Sequence, residues 1–324
     1  MKSNTAFVSL LIALLIPVVP AVAVENGKNA TGNPYVIPIY NADGQMNCSG
    51  ALLTPSIVVT ATHCVLDKSG LKAENVYVGE PGDTIATASG PGNPVLNIKV
   101  SDSYNSNSSH VVDHDIAFLV VQNEIQIDKN NYLHLASESE MLKLKSNGAT
   151  LQFFGYGATS DESPTTDLPN SFTGNYSTLT NSNYPNSGYM KSTIGNSCKG
   201  DSGGPVVSIT PSRITLVGIL TGSKLSINCS KKENDGSYLT LFTEISKYAN
   251  LAFDANLEAI SNASTSSKDE LASSASTIAE LEGQVAELQQ TVDDLKVSSA
   301  NLLKCIVSAR KVIKLKRGKL PSNC

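Results

Sequence analysis

Short apolar runs separated by clusters of turn-forming residues dominate this sequence from Val24 to about Asp254. Each run has the length of one β-strand, and several are rich in valine and isoleucine, which favour strands. The runs are Tyr35–Tyr40, Ser56–Thr60, Ile116–Val121, Leu151–Phe154, Pro205–Ile209, Thr215–Leu220 and Tyr238–Phe242. A helical period first appears at Glu244–Leu257, so the pattern predicts an all-β sandwich or barrel over 24–254 that is closed by one helix.

The composition supports this interpretation and excludes other classes of protein. Only 16% of the residues are charged, whereas a typical soluble domain has roughly 25%. The net charge of −5 argues against a nucleic-acid-binding protein, which is normally basic. The hydrophobic fraction of 40% is too high for a disordered chain.

The N-terminal segment has the pattern of a secretory signal peptide. Residues 6–24 are almost wholly apolar, and Ala21-Val22-Ala23 fits the small-x-small cleavage pattern. We therefore expect a signal peptide over 1–23, cut after Ala23; the alternative is a retained membrane anchor. Export permits disulfides, so the six cysteines are interpreted as a disulfide framework.

The C-terminal part of the chain has three sections. A stretch rich in serine and threonine predicts a linker over 255–267. Over 268–303, Leu271, Ile278, Val285 and Val292 lie seven residues apart, and Leu281, Leu288 and Leu295 follow the last three of them by three residues. β-Branched residues at a and leucine at d favour a parallel coiled-coil dimer, and the alternative is a single helix packed on the body. The section 304–324 is a basic tail with Lys304, Arg310, Lys311, Lys314, Lys316, Arg317 and Lys319.

The sequence Gly200-Asp201-Ser202-Gly203-Gly204-Pro205 presents Ser202 as a candidate nucleophile. Taken alone, Gly-x-Ser-x-Gly also fits the nucleophile elbow of α/β-hydrolases, in which the histidine follows the serine. The four histidines all precede Ser202, so that order is impossible here; they are His63, His110, His114 and His134. The general base must therefore come from upstream.

Two further motifs complete a His…Asp…Ser order. His63 lies in Thr-Ala-Thr-His-Cys at 60–64, and Asp115 directly precedes the apolar run Ile116–Val121. Together with the Ser202 motif, they resemble the chymotrypsin/trypsin family of serine peptidases over Val24 to about Asp254. Gly155-Tyr156-Gly157 resembles the Gly-Trp-Gly segment of that family. The resemblance implies two orthogonal six-stranded β-barrels with the active site between them.

These motifs assign a role to each candidate residue. A serine hydroxyl is a weak nucleophile, so His63 would take its proton and Asp115 would orient and stabilise the imidazole. The backbone amides of Gly200 and Ser202 would form the oxyanion hole. Asp113 competes with Asp115, which we prefer because it abuts an apolar strand as the aspartate of the family does. The other three histidines are interpreted as surface or structural, and no metal or cofactor is predicted.

The resemblance also implies disulfides Cys48–Cys64 and Cys198–Cys229. The remaining Cys305 and Cys324 are expected to close the basic tail, with free thiols or intermolecular bonds as the alternative. Cleavage after Ala23 would expose Val24-Glu25-Asn26-Gly27, which resembles the mature N-terminus of the family. The α-amino group of Val24 would then pair with Asp201, so that signal peptidase itself would activate the enzyme.

The specificity pocket departs from the family pattern. The position of its floor is occupied by Asn196, so a trypsin-like preference for Arg or Lys would lack a counter-charge. Thr221 stands at the wall segment, which is one residue short, and Gly236 matches the second wall glycine. The resemblance therefore implies a neutral pocket, unless Glu233 or Asp235 restores a basic preference.

The sequence thus predicts a secreted serine endopeptidase that hydrolyses protein or peptide substrates through an acyl-enzyme. The alternative is a catalytically idle adhesion or binding protein on the same fold. The coiled coil and basic tail are expected to form a homodimer or to hold the enzyme on an anionic cell surface; the alternative is a solvated tail that aids secretion.

Overall fold

The structure is a computed structural model that describes residues 27–66, 76–82, 92–104, 114–166, 168–180, 185–223 and 229–315. After a short strand, β1 (Lys28–Asn29), six antiparallel strands close into a first barrel in the order β2-β3-β4-β7-β6-β5. Their bounds are β2 (Val36–Tyr40), β3 (Met46–Thr54), β4 (Ile57–Thr60), β5 (Tyr77–Val78), β6 (Asn93–Val100) and β7 (Ala117–Val121).

The apolar runs of this barrel are continuous because both faces of its strands are buried. On β7, Leu119 and Val121 pack with Ile37, Leu52 and other residues in one core cluster. Its alternate residues Phe118 and Val120 belong to a second cluster, which also contains the core of the other barrel. Successive side chains of a strand point to opposite faces, so an uninterrupted apolar run is what a strand between two cores requires.

The second barrel consists of six further strands. Their bounds are β9 (Thr150–Gly155), β10 (Asn170–Ser177), β11 (Ser187–Ser192), β12 (Pro205–Thr210), β13 (Arg213–Ser223) and β14 (Tyr238–Glu244). They follow the order β10-β11-β14-β13-β12-β9 and close through the pairing of β9 with β10. The strand β1 adds to β10, and β8 (His134–Leu135) pairs in parallel with β13. The prediction of two six-stranded barrels is confirmed.

One helix of this domain was not expected from the sequence. The helix α1 (Glu138–Ser146) begins at a capping box, in which Ser137 and Glu140 bond each other's backbone N–H groups. Only Met141 of this helix is buried, so its apolar period is too weak to be recognised in the sequence.

The final helix, α2 (Ala249–Leu315), follows a 3-10 turn over Ile245–Tyr248 and has no break at the predicted linker. The residues predicted as a linker, 255–267, are helical within α2. The hydroxyls of Ser264 and Thr265 donate to the carbonyl of Ser261, so these side chains are satisfied within the helix. The contacts within the chain define two compact units. The first unit ends at Ala259, five residues beyond the predicted end of the peptidase domain, and the second begins at Ile260.

The predicted coiled-coil section 268–303 is helical within α2. Its stripe of a and d residues is exposed; the members are Ile278, Leu281, Val285, Leu288, Val292 and Leu295. None of the helices in the described ranges combines the length and the apolar character needed to cross a bilayer. The predicted signal peptide over 1–23 and Val24 lie outside the described residues. The predicted pairing of Cys305 with Cys324 lies partly outside them, because Cys324 is not described.

Candidate active site

The histidine and the aspartate meet because the strands that carry them are paired. In the antiparallel pair β4–β7, Thr60 is opposite Ala117, so the segment after β4 lies beside the segment before β7. The Nδ1 atom of His63 is 2.7 Å from Oδ2 of Asp115, and the backbone N–H of His63 donates to Oδ1 at 2.9 Å. Both oxygens of the buried Asp115 are therefore engaged by one residue. The competing Asp113 lies outside the described residues.

This contact fixes the protonation of the imidazole. A carboxylate only accepts hydrogen bonds, so Nδ1 carries the proton and Nε2 is left as the basic nitrogen. Burial of the ring lowers the pKa of His63, but the charge of Asp115 and the hydrogen bond to it raise that pKa more, so the net shift is upward. The side chain of His63 keeps 32% of its surface exposed. The exposed ring can therefore accept a proton from a neighbouring group, and its raised pKa favours the protonated form.

The Ser202 turn lies against the histidine segment. The carbonyl oxygen of Ser202 accepts from the backbone N–H of Ser49 at 2.8 Å and is 3.7 Å from Sγ of Cys64, the neighbour of His63. The hydroxyl of Ser202 forms no hydrogen bond to His63 among the described contacts. In active sites without substrate this bond is often long and tightens on binding.

Two backbone N–H groups of this turn have no hydrogen-bond acceptor among the described residues. The N–H of Asp201 donates to Cys198, that of Gly203 to Leu220, and that of Gly204 to Asp201. Within the described residues, no acceptor is found for the N–H groups of Gly200 and Ser202. These two groups are the ones that the sequence predicted as oxyanion donors. The turn requires glycine at 200, where φ is +95° and a Cβ would lie 2.6 Å from a threonine methyl.

The side chain of Asp201 is completely buried beneath this turn. Its Oδ1 accepts from the N–H of Gly157 at 2.7 Å, and its Oδ2 from that of Cys198 at 2.8 Å. A Cβ at Gly155 or Gly157 would lie 2.3 Å from the carboxyl group, so glycine is required at both positions. Burial raises the pKa of Asp201 to about 7, although the two amide hydrogen bonds lower it. Its predicted partner, Val24, lies outside the described residues.

The three predicted pocket residues have different surroundings. The buried Asn196 donates from Nδ2 to the carbonyl of Cys229 at 2.8 Å and accepts at Oδ1 from Thr240 at 3.1 Å. The hydroxyl of Thr221 lies 3.0 Å from that of Thr243, in the buried interior. Gly236 has a φ of +80°, with open space where a Cβ would lie.

One of the two acidic residues proposed to restore a basic preference is already neutralised. The carboxylate of Asp235 accepts from Lys191 at 2.5 Å and from the hydroxyl of Ser237. These hydrogen bonds, above all that from Lys191, lower the pKa of Asp235. Asp235 therefore already has a cationic partner, in an ion pair whose two side chains are about half exposed.

Within the described residues, disulfides join Cys48 to Cys64 and Cys198 to Cys229. The first joins β3 to the histidine segment, and the second joins the turn before the nucleophile to the segment after β13. Two clusters have metal-like spacing in the described residues, one around His63 and one around Asp161, but both draw their sulfur atoms from these disulfides. A disulfide sulfur has no thiolate to offer a metal.

Several neighbours of the site were not found from the sequence. Thr243 donates from its hydroxyl to the carbonyl of Asp115, and His114, at a φ of +59°, contacts the hydroxyl of Tyr248 at 2.9 Å. Burial and then the charge of Asp115 raise the pKa of Tyr104 to about 12. Most of these contacts join segments more than 100 residues apart, and no local motif indicates them.

Comparison with known proteins identifies relatives of this arrangement. The family model described as Trypsin matches residues 24–252. Chymotrypsin-like elastase family member 1 of Felis catus is 28% identical over 245 residues, which cover 69% of this chain and 86% of the relative. The protein of that name in Rattus norvegicus is 27% identical, covering 62% of this chain and 75% of the relative. Trypsin theta of Drosophila melanogaster is 26% identical over 42% of this chain, which spans only 48% of that relative.

Proposed function

The chain belongs to the trypsin family of serine endopeptidases, and we propose that it cleaves peptide bonds with His63, Asp115 and Ser202 as its catalytic triad. The observation that carries the proposal is that two features lie side by side, where the Ser202 turn contacts Cys64. One is the contact between Nδ1 of His63 and the buried Asp115. The other is the neighbouring turn, in which the N–H groups of Gly200 and Ser202 have no acceptor among the described residues.

Each step of the reaction follows from these groups. The Oγ atom of Ser202 attacks the carbonyl carbon of the substrate while Nε2 of His63 takes the hydroxyl proton, and Asp115 stabilises the imidazolium that results. The oxygen that gains negative charge accepts from the N–H groups of Gly200 and Ser202. His63 then gives its proton to the leaving amine, which departs and leaves an acyl-enzyme. A water molecule, deprotonated by His63, hydrolyses the ester and restores Ser202.

The proposed substrate preference is for an uncharged side chain before the scissile bond. Both polar atoms of the Asn196 amide are already hydrogen-bonded within the protein, and Asp235 is paired with Lys191. A buried cation in this pocket would therefore find no counter-charge from these residues, and leaving it unpaired is costly.

We further propose that the α-amino group of Val24 pairs with Asp201 after the signal peptide is removed. The support is the buried carboxyl group of Asp201, which accepts from the N–H groups of Gly157 and Cys198 and forms no ion pair with a side chain among the described residues. A cation in contact with Asp201 would stabilise its ionised form and order the turn that carries Ser202. Secretion, which this activation requires, agrees with the presence of two disulfides.

The helix beyond Ile260 is proposed to form a parallel homodimer through its exposed a and d residues, while the basic tail contacts an anionic cell surface. In sedimentation experiments, Leu288→Lys should convert a dimer to a monomer. Val297→Lys is the matched control, because Val297 is similarly exposed (63% against 66%) but lies off the stripe. A monomeric wild-type protein, or equal effects of the two variants, would contradict the dimer.

Labelling with a fluorophosphonate probe tests the catalytic proposal directly. The wild-type protein should be labelled at Ser202 and should cleave a peptide library, whereas Ser202→Ala should do neither. A folded wild-type protein that is neither labelled nor active would support the idle binding protein instead. The same peptide library measures the specificity of the pocket. A strict preference for Arg or Lys would refute the proposed neutral pocket but not the proposed triad.

A further inference from the structure

The side chain of Ser49 joins the first barrel to the nucleophile turn of the second. Ser49 lies on β3, next to Cys48, and is completely buried. Its hydroxyl donates to the carbonyl of Gly200 at 3.0 Å and accepts from the N–H of Tyr156 at 2.9 Å. Its backbone N–H donates to the carbonyl of Ser202 at 2.8 Å. One residue therefore contacts the nucleophile turn at two places.

We propose that Ser49 is a positioning residue that holds the oxyanion donors in their active orientation. The inference rests on the proposed function, because it takes the N–H groups of Gly200 and Ser202 as those donors. Ser49 would be a residue that supports catalysis from outside the triad and from outside the nucleophile turn.

The position of the contact within the turn explains the effect. The Gly200 carbonyl belongs to the peptide group between Gly200 and Asp201. This peptide lies between the two groups that carry the donor N–H atoms. Gly200 has a φ of +95°, a region in which glycine rotates freely and other residues are restricted. A hydrogen bond that fixes the central peptide therefore limits the rotation of both donors.

The second contact of the Ser49 hydroxyl extends this effect to the buried aspartate. Tyr156, whose N–H donates to Ser49, stands between Gly155 and Gly157, the two glycines packed on Asp201. Ser49 is thus shared by the turn and by the segment that receives the Asp201 carboxyl group. The hydroxyl both donates and accepts in the buried interior, so its removal leaves the Gly200 carbonyl and the Tyr156 N–H without these partners.

Ser49→Ala separates this positioning role from simple packing. We expect kcat per titratable Ser202 to fall about 10- to 100-fold with KM nearly unchanged, less than the 10²–10³-fold typical of losing a donor outright. Affinity for a peptide boronate, which forms a tetrahedral adduct at Ser202, should fall by a similar factor. Affinity for the same peptide ending in a carboxamide, which forms no tetrahedral adduct and gains no negative charge on its oxygen, should stay nearly the same.

Tyr176→Phe is the matched control, because it removes a buried hydrogen bond, from Tyr176 to Glu244, that does not touch the turn. It should lower thermal stability without changing kcat or boronate affinity. If Ser49→Ala does not fold, Ser49→Gly removes the same hydroxyl and carries the same comparison. A kcat within twofold of wild type for the variant that folds would overturn the inference. An inactive, unlabelled wild-type protein would instead refute the proposed function on which it rests.

Discussion

The pairing of Val24 with Asp201 should change how the stability of the protein depends on pH. The perturbation is an extension of two residues, Gly-Ser, ahead of Val24, which moves the α-amino group away from the carboxyl group. Both the extended chain and the chain that begins at Val24 carry Ser202→Ala to prevent self-cleavage. All other titrating groups are shared, so they cancel in the comparison.

The magnitude follows from the pKa of Asp201, which burial raises from 3.8 to about 7 in the absence of a cation. A raised pKa means that the folded extended chain binds the proton more tightly than the unfolded chain does. The resulting stability is complete below pH 3.8 and is lost as the pH rises to about 7. At 1.36 kcal/mol per pH unit, the loss is about 4 kcal/mol in all and about 2 kcal/mol between pH 5 and pH 7, because the carboxyl group is only half ionised at pH 7. In the chain that begins at Val24, the protonated amine lowers the pKa of Asp201, so most of this loss should disappear.

Urea unfolding at pH 5 and pH 7, followed by circular dichroism because the protein has no tryptophan, measures the difference. The advantage of the chain that begins at Val24 should grow by about 2 kcal/mol between the two pH values. Asp201→Asn in the extended chain is the control and should remove the pH dependence attributed to this carboxyl group. If the two chains lose stability in parallel from pH 5 to pH 7, the amine does not reach Asp201 and the reasoning fails.

Three further predictions concern the base, the turn and a disulfide. The acid limb of kcat/KM, measured from pH 5 to 8, should lie above pH 6.5, because His63 must be neutral to act as a base and its pKa is raised; a limb below that value contradicts the shift. In urea unfolding, Gly203→Ala should cost about 3 kcal/mol or more, since φ is +84° and its Cβ would lie 2.1 Å from a hydroxyl oxygen. Gly44→Ala, with a φ of +71° and open space, should cost only about 1 kcal/mol, and equal costs would refute the steric argument. Replacing Cys48 and Cys64 with alanine should lower the free energy of unfolding by about 3 kcal/mol, because the disulfide closes a loop of 16 residues; an unchanged unfolding midpoint would contradict this.

The features that could be predicted from the sequence are those encoded by short, local patterns of residues. The apolar run Ile116–Val121 predicted β7 because a strand between two cores must be apolar on both faces. The three motifs around His63, Asp115 and Ser202 each fit within six residues, and their order excluded the α/β-hydrolase arrangement. These motifs carry the resemblance to the family, and the resemblance implied the two barrels; both are confirmed by the fold and by the match over 24–252.

The features that the sequence missed depend on contacts that are distant along the chain. Nothing beside Ser49 indicates that its hydroxyl meets Gly200, 151 residues away. The helical conformation of residues 255–267 could not be predicted for a different reason. Serine and threonine are typical of linkers, but in this helix their hydroxyls bond the carbonyls of the preceding turn. Composition cannot distinguish these two uses of the same side chains.

The contacts between β3 and the nucleophile turn also bear on the fate of damaged copies. The turn belongs to the second barrel, yet Ser49 on the first barrel bonds the carbonyls of both Gly200 and Ser202. A copy whose barrels have separated loses these bonds, and its peptide segments become accessible to other copies. Under the proposed function, such a copy would lose its activity together with its fold, because the nucleophile turn depends on contacts from the first barrel.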